Sequence, residues 1–541
     1  MFQCTFDEYR HDNVDPRIYE MNMPPLIEEA QEAPLTPIQK FYSGANVFIT
    51  GGTGFIGQLL VEKLLRSCPD IGNIYLLIRE KKNKNMVTRI DEILDECIFD
   101  KLKIAYPKYK YKVVGIEGDC GLPKLGINEQ ERRLLTNEVN VVFHVAATVN
   151  FDEKLKTAVN INVKGTKELL TFCKEMTKLK AVVHVSTAFS NCAEDVIEEI
   201  FYPTPIEYNK LITLTEILSE DALQKITPNI LGNLPNTYAF TKAIAENMIQ
   251  EEGKNLPLGI YRPSIVVSTY KEPLRGWINN MYGAVGVTVG AGMGLLRVIH
   301  CDSDANANIV PADMCVNGLI AVPWEASYKY QKSIEEQTNF EIPIYNYESS
   351  QDQPINWSKY MELTSKYGTQ NPTANALWYY SLNLIKHKFL YQLAAILVHF
   401  VPAIMLDALL LLIGRKTRFF KIYTKIYRFS RVISYFSTKN FKFRSTRMRQ
   451  LISKMSDGDR AVFMCDLKKL NWEEYFKYHF IGVRLYILKD PLSTLPEAIR
   501  KFNRLYWCHQ MLKIILGFTA MRITWNLIAC ALLNVSGIFS S

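Results

Sequence analysis

Apolar and polar positions follow two patterns between residues 41 and 350. Short continuous apolar runs, rich in β-branched residues, are typical of strands buried on both faces. Between these runs, apolar residues recur at three- and four-residue spacing, which predicts helices. Runs that predict strands lie at 47–49, 74–78, 111–116, 139–145, 181–185 and 258–262. Because strands and helices alternate along the chain, the pattern predicts an α/β fold with a doubly wound parallel sheet.

The pattern changes after Pro273. Six glycines between residues 276 and 294 predict a loop-rich substrate region, and Asp313 is expected to cap the apolar helix that follows. A polar run at 349–354 predicts a domain boundary, and the pattern beyond it is helical to about residue 500.

Two apolar stretches in the last third of the chain are long enough to bear on membranes. The stretch 390–413 could span a bilayer by length, but it contains His399, Pro402 and Asp407, so a buried core helix or a substrate-tunnel helix is an equal alternative. The stretch 514–538 is interrupted by Arg522. We expect it to insert into a membrane or to lie at its interface.

A glycine-rich turn follows the first predicted strand. The segment 50–57 reads TGGTGFIG, and a helical pattern and a second strand come directly after it. In such a unit Gly51 allows the tight turn, Gly54 lets the backbone approach a pyrophosphate, and Gly57 lets helix and strand pack closely. The free N–H groups at the start of the helix then face the phosphates. The predicted cofactor contacts in this turn are Thr50, Gly51, Thr53, Gly54, Phe55, Ile56 and Gly57.

The end of the second strand indicates which dinucleotide binds. A site for NAD places an acid there to bind the ribose 2′-hydroxyl, whereas a cation accommodates the 2′-phosphate of NADP. Here the residue is Arg79, followed by Lys81 and Lys82. The position therefore predicts NADPH, and the alternative is a solvated basic loop.

Three more residues at strand ends are candidate cofactor contacts. Asp119 follows the third strand and either hydrogen-bonds the adenine amine or is an ordinary turn residue; Ala146 follows the fourth strand and Pro263 ends the sixth. Ligands of doubly wound sheets bind outside the carboxyl ends of the strands, where these residues lie. By contrast, His144 and His184 fall within apolar strands, and we expect both to be core histidines with satisfied hydrogen bonds.

A catalytic group is predicted on the helix that starts near residue 236. Tyr238 and Lys242 are four residues apart, so their side chains share one face of that helix. A nearby ammonium lowers the pKa of a phenol, which lets the tyrosine act as a general acid. Lys242 is also expected to hold the nicotinamide ribose. A hydroxyl from the end of the fifth strand, Thr187 or Ser186, would hydrogen-bond the substrate carbonyl.

Charge and cysteine content narrow the range of expected binding partners. The net charge is +8, but residues 381–450 contain fourteen lysines and arginines and one acid, Asp407, a net charge of +13 that leaves −5 for the rest. Such a segment suits nucleic acid, anionic lipid or a phosphorylated ligand, and the neighbouring apolar stretches favour lipid over nucleic acid. The eleven cysteines form no C-x-x-C pair and no metal-ligand cluster, so we expect no metal and a reduced, cytosol-facing chain.

These features divide the chain into four predicted segments. They are a flexible acidic tail (1–40), an NADP-binding Rossmann domain with substrate-region insertions (41–350), a basic helical domain (351–505) and an apolar membrane-associated tail (506–541).

Several stretches resemble the extended short-chain dehydrogenase/reductases and, more closely, the insect-type alcohol-forming fatty acyl-CoA reductases. The matching stretches include FITGGTGFIG (48–57), FHVAATVNFDE (143–153), HVSTAFSN (184–191), PNTYAFTKAIAE (235–246), YRPSIV (261–266), RGWINNMYG (275–283) and HFVPAIMLD (399–407). With the stretch 471–490, the likeness covers about residues 41–490.

The resemblance implies a four-electron reduction of a long-chain acyl-CoA to a primary alcohol with two NADPH. An aldehyde would form first, with Tyr238 and Thr187 stabilising the oxyanion. It also implies a membrane-associated protein of the endoplasmic reticulum or peroxisome, and it leaves open whether the protein forms a homo-oligomer. A sugar-nucleotide epimerase or dehydratase would share much of this site, but its NAD would favour an acid in place of Arg79. A non-catalytic membrane-bound scaffold would leave the Ser-Thr, Tyr and Lys set without a purpose.

Overall fold

A computed structural model describes residues 34–80 and 85–538, with side chains described to residue 529. Residues 1–33, which make up most of the predicted tail, and Lys81 and Lys82 lie outside the described part of the chain. The strands are β1 Asn46–Thr50, β2 Ile74–Ile78, β3 Val113–Glu117, β4 Val139–His144, β5 Ala181–Val185, β6 Val196–Ile197, β7 Leu258–Pro263, β8 Ile265–Val267, β9 Val298–His300, β10 Ile309–Pro311, β11 Ile344–Tyr347, β12 Asn383–Ile385 and β13 Lys442–Phe443.

The helices alternate with the strands up to β11, and only the short strands β12 and β13 interrupt the described helices after it. They are α1 Pro37–Tyr42, α2 Phe55–Ser67, α3 Met86–Leu94, α4 Asp100–Ala105, α5 Glu129–Glu138, α6 Leu155–Ala158, α7 Gly165–Glu175, α8 Tyr208–Ile217, α9 Glu220–Leu231, α10 Thr237–Glu252, α11 Gly283–Gly292, α12 Ala312–Glu335, α13 Trp357–Gly368, α14 Lys388–Ala395, α15 Val401–Leu412, α16 Phe419–Thr438, α17 Thr446–Lys454, α18 Asp457–Val462, α19 Trp472–Gly482 and α20 Leu495–Ile538. π-Helical turns at Val159–Lys164, Ile396–Phe400 and Val483–Ile487 continue α6, α14 and α19, and short 3₁₀ turns lie at Cys97–Phe99, Tyr109–Lys112, Pro123–Gly126, Leu467–Lys469 and Leu492–Thr494.

Seven parallel strands form the main sheet in the order β11-β7-β5-β4-β1-β2-β3. The chain order runs outward in both directions from the β1–β4 pair, so the predicted doubly wound fold is confirmed. All six predicted strands are present, and β11 is a seventh that the pattern did not predict. Thr50 of β1 lies beside His144 of β4, at the carboxyl edge where the chain order reverses and where ligands bind.

The sheet is covered on both faces. In β1, Val47 and Ile49 belong to one core, which includes α2 and α12, while Phe48 belongs to the other, which includes α7 and α10. Strands buried on both sides need no polar face, which is why their sequences read as continuous apolar runs.

The helical region after β11 completes the first of these cores. Leu451, Phe463 and Phe476 lie in the same buried cluster as Tyr261 and Tyr347 of the sheet. The polar run near residue 350 is a tight turn after β11 and passes directly into this packing. The helical C-terminal region therefore stabilises the sheet domain as well as itself.

The tail predicted for residues 1–40 is wrong at its described end. Residues 37–42 form α1, which Thr36 and Gln39 cap reciprocally. Ile38 is fully buried, and its N–H donates to Asp459 Oδ1, 3.1 Å away on α18. The described chain thus joins the C-terminal helices before the first strand begins.

The glycine-rich stretch after Pro273 is also more regular than predicted, because residues 283–292 form the helix α11. Its glycines serve close packing: a Cβ at Gly286 would lie 3.0 Å from Phe429 Cζ, and one at Gly290 would lie 3.2 Å from Leu296 Cβ. Small residues therefore allow other side chains to approach this helix closely.

Asp313 does not cap α12, as the sequence had indicated. Among the described residues no side chain caps that helix, and the Asp313 carboxylate lies within its first turn. It accepts the backbone N–H groups of Tyr270, Lys271 and Glu272 at 2.7 to 3.0 Å. Asp313 thus fixes the loop that follows β8.

The two long apolar stretches both lie on the surface. Each gives a helix long and apolar enough to cross a membrane, Lys388–Leu412 and Leu492–Ala529. The alternative of a buried core or tunnel helix for residues 390–413 is wrong, because most of its large apolar side chains are exposed.

Candidate active site

The glycine turn between β1 and α2 has the shape that a dinucleotide site requires. Gly51 has φ +76°, and a Cβ on it would lie 2.6 Å from the nitrogen of Ala146. A Cβ on Gly57 would lie 2.2 Å from the Gly51 carbonyl oxygen. Gly54 is the N-cap of α2 and provides no side-chain cap. The first N–H groups of the helix are therefore available to a pyrophosphate.

The other turn residues have distinct surroundings. Thr50 is buried, and its Oγ1 lies 2.7 Å from His144 Nδ1 and accepts the Ala146 N–H at 3.3 Å. Phe55 stacks on Trp277 with ring centroids 5.5 Å apart, and Ile56 packs against the core. The structure thus brings the predicted turn residues together with Ala146 at the β1–β4 junction.

Two arginines meet at the end of β2. The guanidinium of Arg89, on α3, donates to the carbonyl oxygen of Arg79 and approaches Thr53 Oγ1 at 3.5 Å. Burial and the nearby Arg79 both lower the pKa of Arg89. The effect of Arg79 on the Arg89 pKa shows that the two positive charges repel each other, and an anion bound near both would relieve that repulsion. Sequence reasoning missed Arg89, whose only signal is its place on the helix after β2.

Asp119 lies beside the same arginine. Its Oδ2 is 3.7 Å from Arg79 Nε, and its Oδ1 accepts the N–H of Gly121 at 2.9 Å. The bond to Gly121 fits the alternative of an ordinary turn residue, and the contact with the adenine amine stays a prediction. Pro263 ends β7, where its carbonyl accepts the N–H of Ala188 at 2.9 Å.

The two strand histidines differ. His144 is satisfied, with Thr50 at its Nδ1 and Thr166 Oγ1 3.0 Å from its Nε2, whereas both ring nitrogens of His184 are buried and lack a partner among the described residues. The prediction of a satisfied core histidine is therefore wrong for His184. Burial lowers the pKa of both rings, to about 3 for His144, so both are neutral.

Tyr238 and Lys242 lie in the first two turns of α10, which begins after Asn236 accepts the N–H of Ala239. Burial raises the pKa of Tyr238 to about 12, while a hydrogen bond with Thr187 acts in the opposite direction. Burial lowers the pKa of Lys242 to about 8. The predicted effect of Lys242 on the Tyr238 pKa is not seen, because the ammonium donates to the carbonyl of Val185, 2.7 Å away.

The two candidate hydroxyls after β5 have different partners. Ser186 is buried and donates to the carboxylate of Glu246, one turn beyond Lys242 on α10. Thr187 forms the hydrogen bond with Tyr238. Glu246 is held in turn by the fully buried Arg262, with nitrogen–oxygen distances of 2.5 and 2.9 Å. Of the two hydroxyls, Thr187 is therefore the one that borders the candidate acid.

An aromatic wall, defined here as Phe151, Phe189, Phe436, Phe441 and Phe443, starts beside Tyr238. Phe151 lies 5.6 Å from the Tyr238 ring and 5.6 Å from Phe436, between ring centroids. Phe189 lies 5.3 Å from Phe436, and Phe441 and Phe443 lie 5.3 and 5.7 Å from Phe189, again between ring centroids. Phe436 belongs to α16, so the C-terminal region supplies part of the apolar surface near Tyr238, the candidate acid. The sequence analysis did not predict this contact.

Comparison with known proteins agrees with this geometry. Residues 49–319 match a family model described as male sterility protein, and residues 398–490 match a second model with the same description. The chain is 43% identical to the Drosophila melanogaster fatty acyl-CoA reductase wat over 505 residues, which cover 93% of this chain and 94% of that protein. It is 34% identical to human fatty acyl-CoA reductase 1 over 471 residues, covering 87% and 90% of the two chains.

Solved structures resemble it in fold. The terminal R domain of the myxalamid biosynthetic pathway aligns with a TM-score of 0.53 at 17% identity, covering 82% of this chain and 91% of that one. The reductase domain of a nonribosomal peptide synthetase from Mycobacterium tuberculosis aligns with a TM-score of 0.52 at 17% identity, covering 82% and 92%. The glycine turn, the parallel sheet and the two sequence matches over nearly the whole chain lead to one conclusion: the chain belongs to the fatty acyl-CoA reductase family.

Proposed function

We propose that this protein reduces long-chain fatty acyl-CoA to the primary alcohol with NADPH, at a site built from Tyr238, Lys242 and Thr187. As a member of its family it is an oxidoreductase that reduces fatty acyl-CoA to fatty alcohol. The observation that carries the proposed site is the position of α10, whose Lys242 bonds to the Val185 carbonyl at the end of β5. This places Tyr238 and Lys242 beside Thr187 at the same sheet edge as the glycine turn.

The residues at this edge fit an NADP cofactor. The α2 N-terminus and its glycine turn would hold the pyrophosphate, with Thr50, Thr53, Phe55 and Ile56 shaping the turn. NADPH in this place would supply one hydride for each of two reductions.

The two arginines at the end of β2 support NADPH over NADH. Arg79 and Arg89 together form a positive site for a 2′-phosphate, and their mutual repulsion would be relieved by that anion. Asp119 would stay beside Arg79 at the adenosine end, and Ala146 and Pro263 would border the cofactor at the ends of β4 and β7.

Tyr238 would provide the proton that the carbonyl oxygen needs as hydride arrives at carbon. Its raised pKa keeps the phenol protonated at neutral pH, and the Lys242 ammonium, once it faces the phenol, would lower that pKa and ease the proton transfer. Thr187, already bonded to it, would donate to the same oxygen and help hold the developing negative charge. Lys242 would turn from the Val185 carbonyl to the nicotinamide ribose and the Tyr238 hydroxyl.

Two successive reductions account for the alcohol. Hydride addition to the thioester carbonyl gives a tetrahedral oxyanion, which collapses to an aldehyde as the carbon–sulfur bond breaks and CoA leaves as a thiolate. The second hydride and a proton from Tyr238 convert the aldehyde to the alcohol. In total, one acyl-CoA takes up two hydrides and two protons and gives one alcohol and one CoA thiol. No cysteine nucleophile is needed, because the thioester is already activated.

The aromatic wall would hold the acyl carbons nearest the carbonyl. It begins at Phe151 against Tyr238 and is closed by Phe436 from α16. An apolar wall there excludes water, which strengthens the hydrogen bonds to the oxyanion.

The protein is proposed to be bound to a membrane, with α20 as its anchor. No described side chain in the apolar stretch of this helix is buried, and the stretch includes Phe518, Trp525 and Leu527. Arg522 could reach the interface by extending along a tilted or shallow helix. We expect the full chain to pellet with membranes and to resist extraction by high salt. Full-length protein in the soluble fraction without detergent would refute the anchor.

Purified protein incubated with palmitoyl-CoA tests the reaction and the cofactor together. With NADPH we expect free CoA and hexadecanol, and with NADH a much lower kcat/KM. Turnover of a nucleotide sugar with NAD, and none of palmitoyl-CoA, would instead support the epimerase or dehydratase alternative. Binding of NADPH with no turnover of either substrate would support a non-catalytic scaffold.

A further inference from the structure

The helical segment from Lys388 to Leu412 is amphipathic, but its apolar side faces outward, whereas a helix on a soluble protein turns its apolar side inward. The side chains that it buries are Tyr391, Ala395, His399, Ala403 and Asp407, spaced four residues apart. A four-residue step overshoots a 3.6-residue turn, and the wider π turn at Ile396–Phe400 offsets this drift. The polar and small residues therefore face the protein.

The outer side of the same segment is apolar. We call it the apolar ridge, which includes Leu393, Leu397, Ile404, Met405, Leu409 and Leu412, with 47–84% of each side chain exposed. A helix on a soluble surface turns its apolar stripe inward and its polar residues outward. An exposed, contiguous apolar surface of this kind marks a contact with a membrane or with another protein.

The buried polar residues of the segment are used by the protein itself. His399 Nε2 accepts the N–H of Arg297 at 2.9 Å, and the His399 ring stacks on Tyr423 of α16. Asp407 accepts the N–H groups of Arg418, Phe419 and Phe420 at 2.8 to 3.0 Å and so closes the start of α16. The segment is thus held along its length against the protein. A helix fixed in this way lies on its domain and is not free to cross a bilayer alone.

Cations border the ridge. They follow it in the connecting loop and along α16 and are all exposed: Arg415, Lys416, Arg418, Lys421, Lys425 and Arg428. None of the six forms an ion pair with an acid among the residues that the structure describes, and residues 408–450 contain no Asp or Glu. Unpaired cations beside an apolar surface complement anionic lipid headgroups above acyl chains.

The ridge is also continuous with the base of the proposed anchor. Arg297, bound to His399, lies over the Trp378 ring, and Trp378 Nε1 donates to His509 Nδ1 at 3.1 Å. His509 is on α20, directly before its long exposed apolar part. A bilayer that receives α20 would therefore lie near the ridge.

We infer that the apolar ridge is a second membrane-docking surface, which lies in the plane of an anionic bilayer with its apolar side chains in the acyl-chain boundary and the bordering cations at the headgroups. This docking would orient the catalytic domain toward the membrane. Phe420 of α16 packs against Phe400 in the segment that carries the ridge, and Phe436 of the same helix belongs to the aromatic wall. One helix therefore connects the proposed bilayer surface to the neighbourhood of Tyr238. The inference does not depend on which reaction the site catalyses.

Nitroxide depth measurements on the full chain test this placement. Single cysteines would be introduced as Leu393→Cys, Met405→Cys and Leu412→Cys in a parent whose Cys4, Cys508 and Cys530 are serine, since Cys508 is exposed. Labelled protein is reconstituted in phosphatidylcholine vesicles containing phosphatidylserine, after its thermal stability has been checked. Ile217→Cys on α8, a position 75% exposed, is the aqueous control, and Met521→Cys reports α20.

In-plane docking predicts that the three ridge labels are reached by oxygen and protected from a water-soluble nickel chelate. Their depths should agree to within about one helical turn, ~5 Å. A spanning helix would instead separate the first and last labels by about 28 Å, at ~1.5 Å per residue. That gradient would overturn the inference. Exclusion of both reagents would also overturn it, because the ridge would then pack on protein. A third result would also overturn it: ridge labels as accessible to nickel as the Ile217→Cys label, while the Met521→Cys label stays in lipid. In that case α20 would be the sole membrane contact.

Charge reversal tests the bordering cations. The triple variant Lys421→Glu, Lys425→Glu and Arg428→Glu should make the Met405→Cys label more accessible to nickel on phosphatidylserine vesicles and leave it unchanged on pure phosphatidylcholine. A matched triple at exposed lysines elsewhere, Lys108→Glu, Lys178→Glu and Lys225→Glu, changes the net charge equally and should have little effect. Equal responses of the two triples would overturn the role of the cations.

Discussion

The candidate catalytic helix α10 and the segment that carries the apolar ridge both bury a row of side chains at four-residue spacing, but the polar members of the two rows have different uses. In α10 the buried charged residues of this row are Lys242 and Glu246, next to the half-buried Tyr238. In the ridge segment they are His399 and Asp407, which bind the backbone of neighbouring elements. Tyr238 and Lys242 border the candidate site, whereas Glu246, His399 and Asp407 complete the fold.

The difference shows that a buried polar residue must be judged by its partner. Lys242 bonds to a single strand carbonyl, a contact that a cofactor can replace, and Tyr238 bonds to one hydroxyl. Asp407 satisfies three backbone N–H groups that would otherwise lack an acceptor at the start of α16. Because the polar residues of the ridge segment bind other parts of the protein, its apolar residues lie on the exposed side.

Tyr238→Phe should give the largest loss of activity and so show most strongly that α10, and not the ridge segment, serves catalysis. The ring stays and only the acid is lost, so we expect kcat to fall by about 10²- to 10⁴-fold while NADPH affinity, measured by fluorescence titration, is retained. Activity within a few-fold of the wild type would remove Tyr238 from the chemistry.

Thr187→Val should cost about 10²-fold in kcat, as the loss of one oxyanion donor does. Ser186→Ala is the matched control, because its hydroxyl serves Glu246 and not Tyr238. Glu246 would keep Arg262, Ser190 and Asn191 as donors. A larger loss from Ser186→Ala than from Thr187→Val would reverse the proposed roles.

Arg79→Glu should raise KM for NADPH by about 10- to 10²-fold, as expected for the loss of a charged hydrogen bond, and should narrow or reverse the preference over NADH. Arg89→Glu is expected to act in the same direction, because the Arg89 guanidinium is bound to the Arg79 backbone carbonyl and its charge is coupled to that of Arg79. If the ratio of kcat/KM for NADPH to that for NADH is unchanged in both variants, Lys81 or Lys82 would be the residue that selects NADPH.

The pH profile should reflect Lys242. Its pKa of about 8 means that the ammonium is present below that pH and is lost as the pH rises through it. If the charged form holds the ribose and assists Tyr238, kcat/KM should fall toward tenfold per unit above pH 8. A profile that stays flat from pH 7 to 9.5 would show that the charge of Lys242 is not required.

Asp407→Ala should have the smallest effect and should act on stability alone. Loss of the acceptor at the start of α16 is expected to lower Tm by about 1–2 °C, with kcat for soluble acyl-CoA unchanged. A large fall in kcat at unchanged Tm would place this segment in the catalytic machinery and break the distinction between the two helices.

The sheet and the cofactor turn could be predicted because their signals are local. Continuous apolar runs and the spacing of Gly51, Gly54 and Gly57 depend on residues within one βαβ unit. The Tyr238–Lys242 pair could be predicted for the same reason, since helical periodicity alone places both on one face.

The remaining features depend on contacts between distant parts of the chain. Phe436 reaches Phe151 across 285 positions, and Arg89 approaches Arg79 only after α3 has folded back on the sheet. The composition of residues 390–413 indicated an apolar helix but not which side faces outward, because that depends on the partners of His399 and Asp407. Long-range packing therefore accounts for most of what the sequence did not predict.

The ratio of NADPH consumed to CoA released tests the proposed chemistry most directly. Full-length protein in detergent would be given limiting palmitoyl-CoA and excess NADPH, with NADPH followed by absorbance and free thiol, aldehyde and alcohol measured at completion. We predict two NADPH oxidised for each CoA, with hexadecanol as the product and no aldehyde accumulating. One NADPH for each CoA, with hexadecanal as the final product, would contradict two reductions in this site.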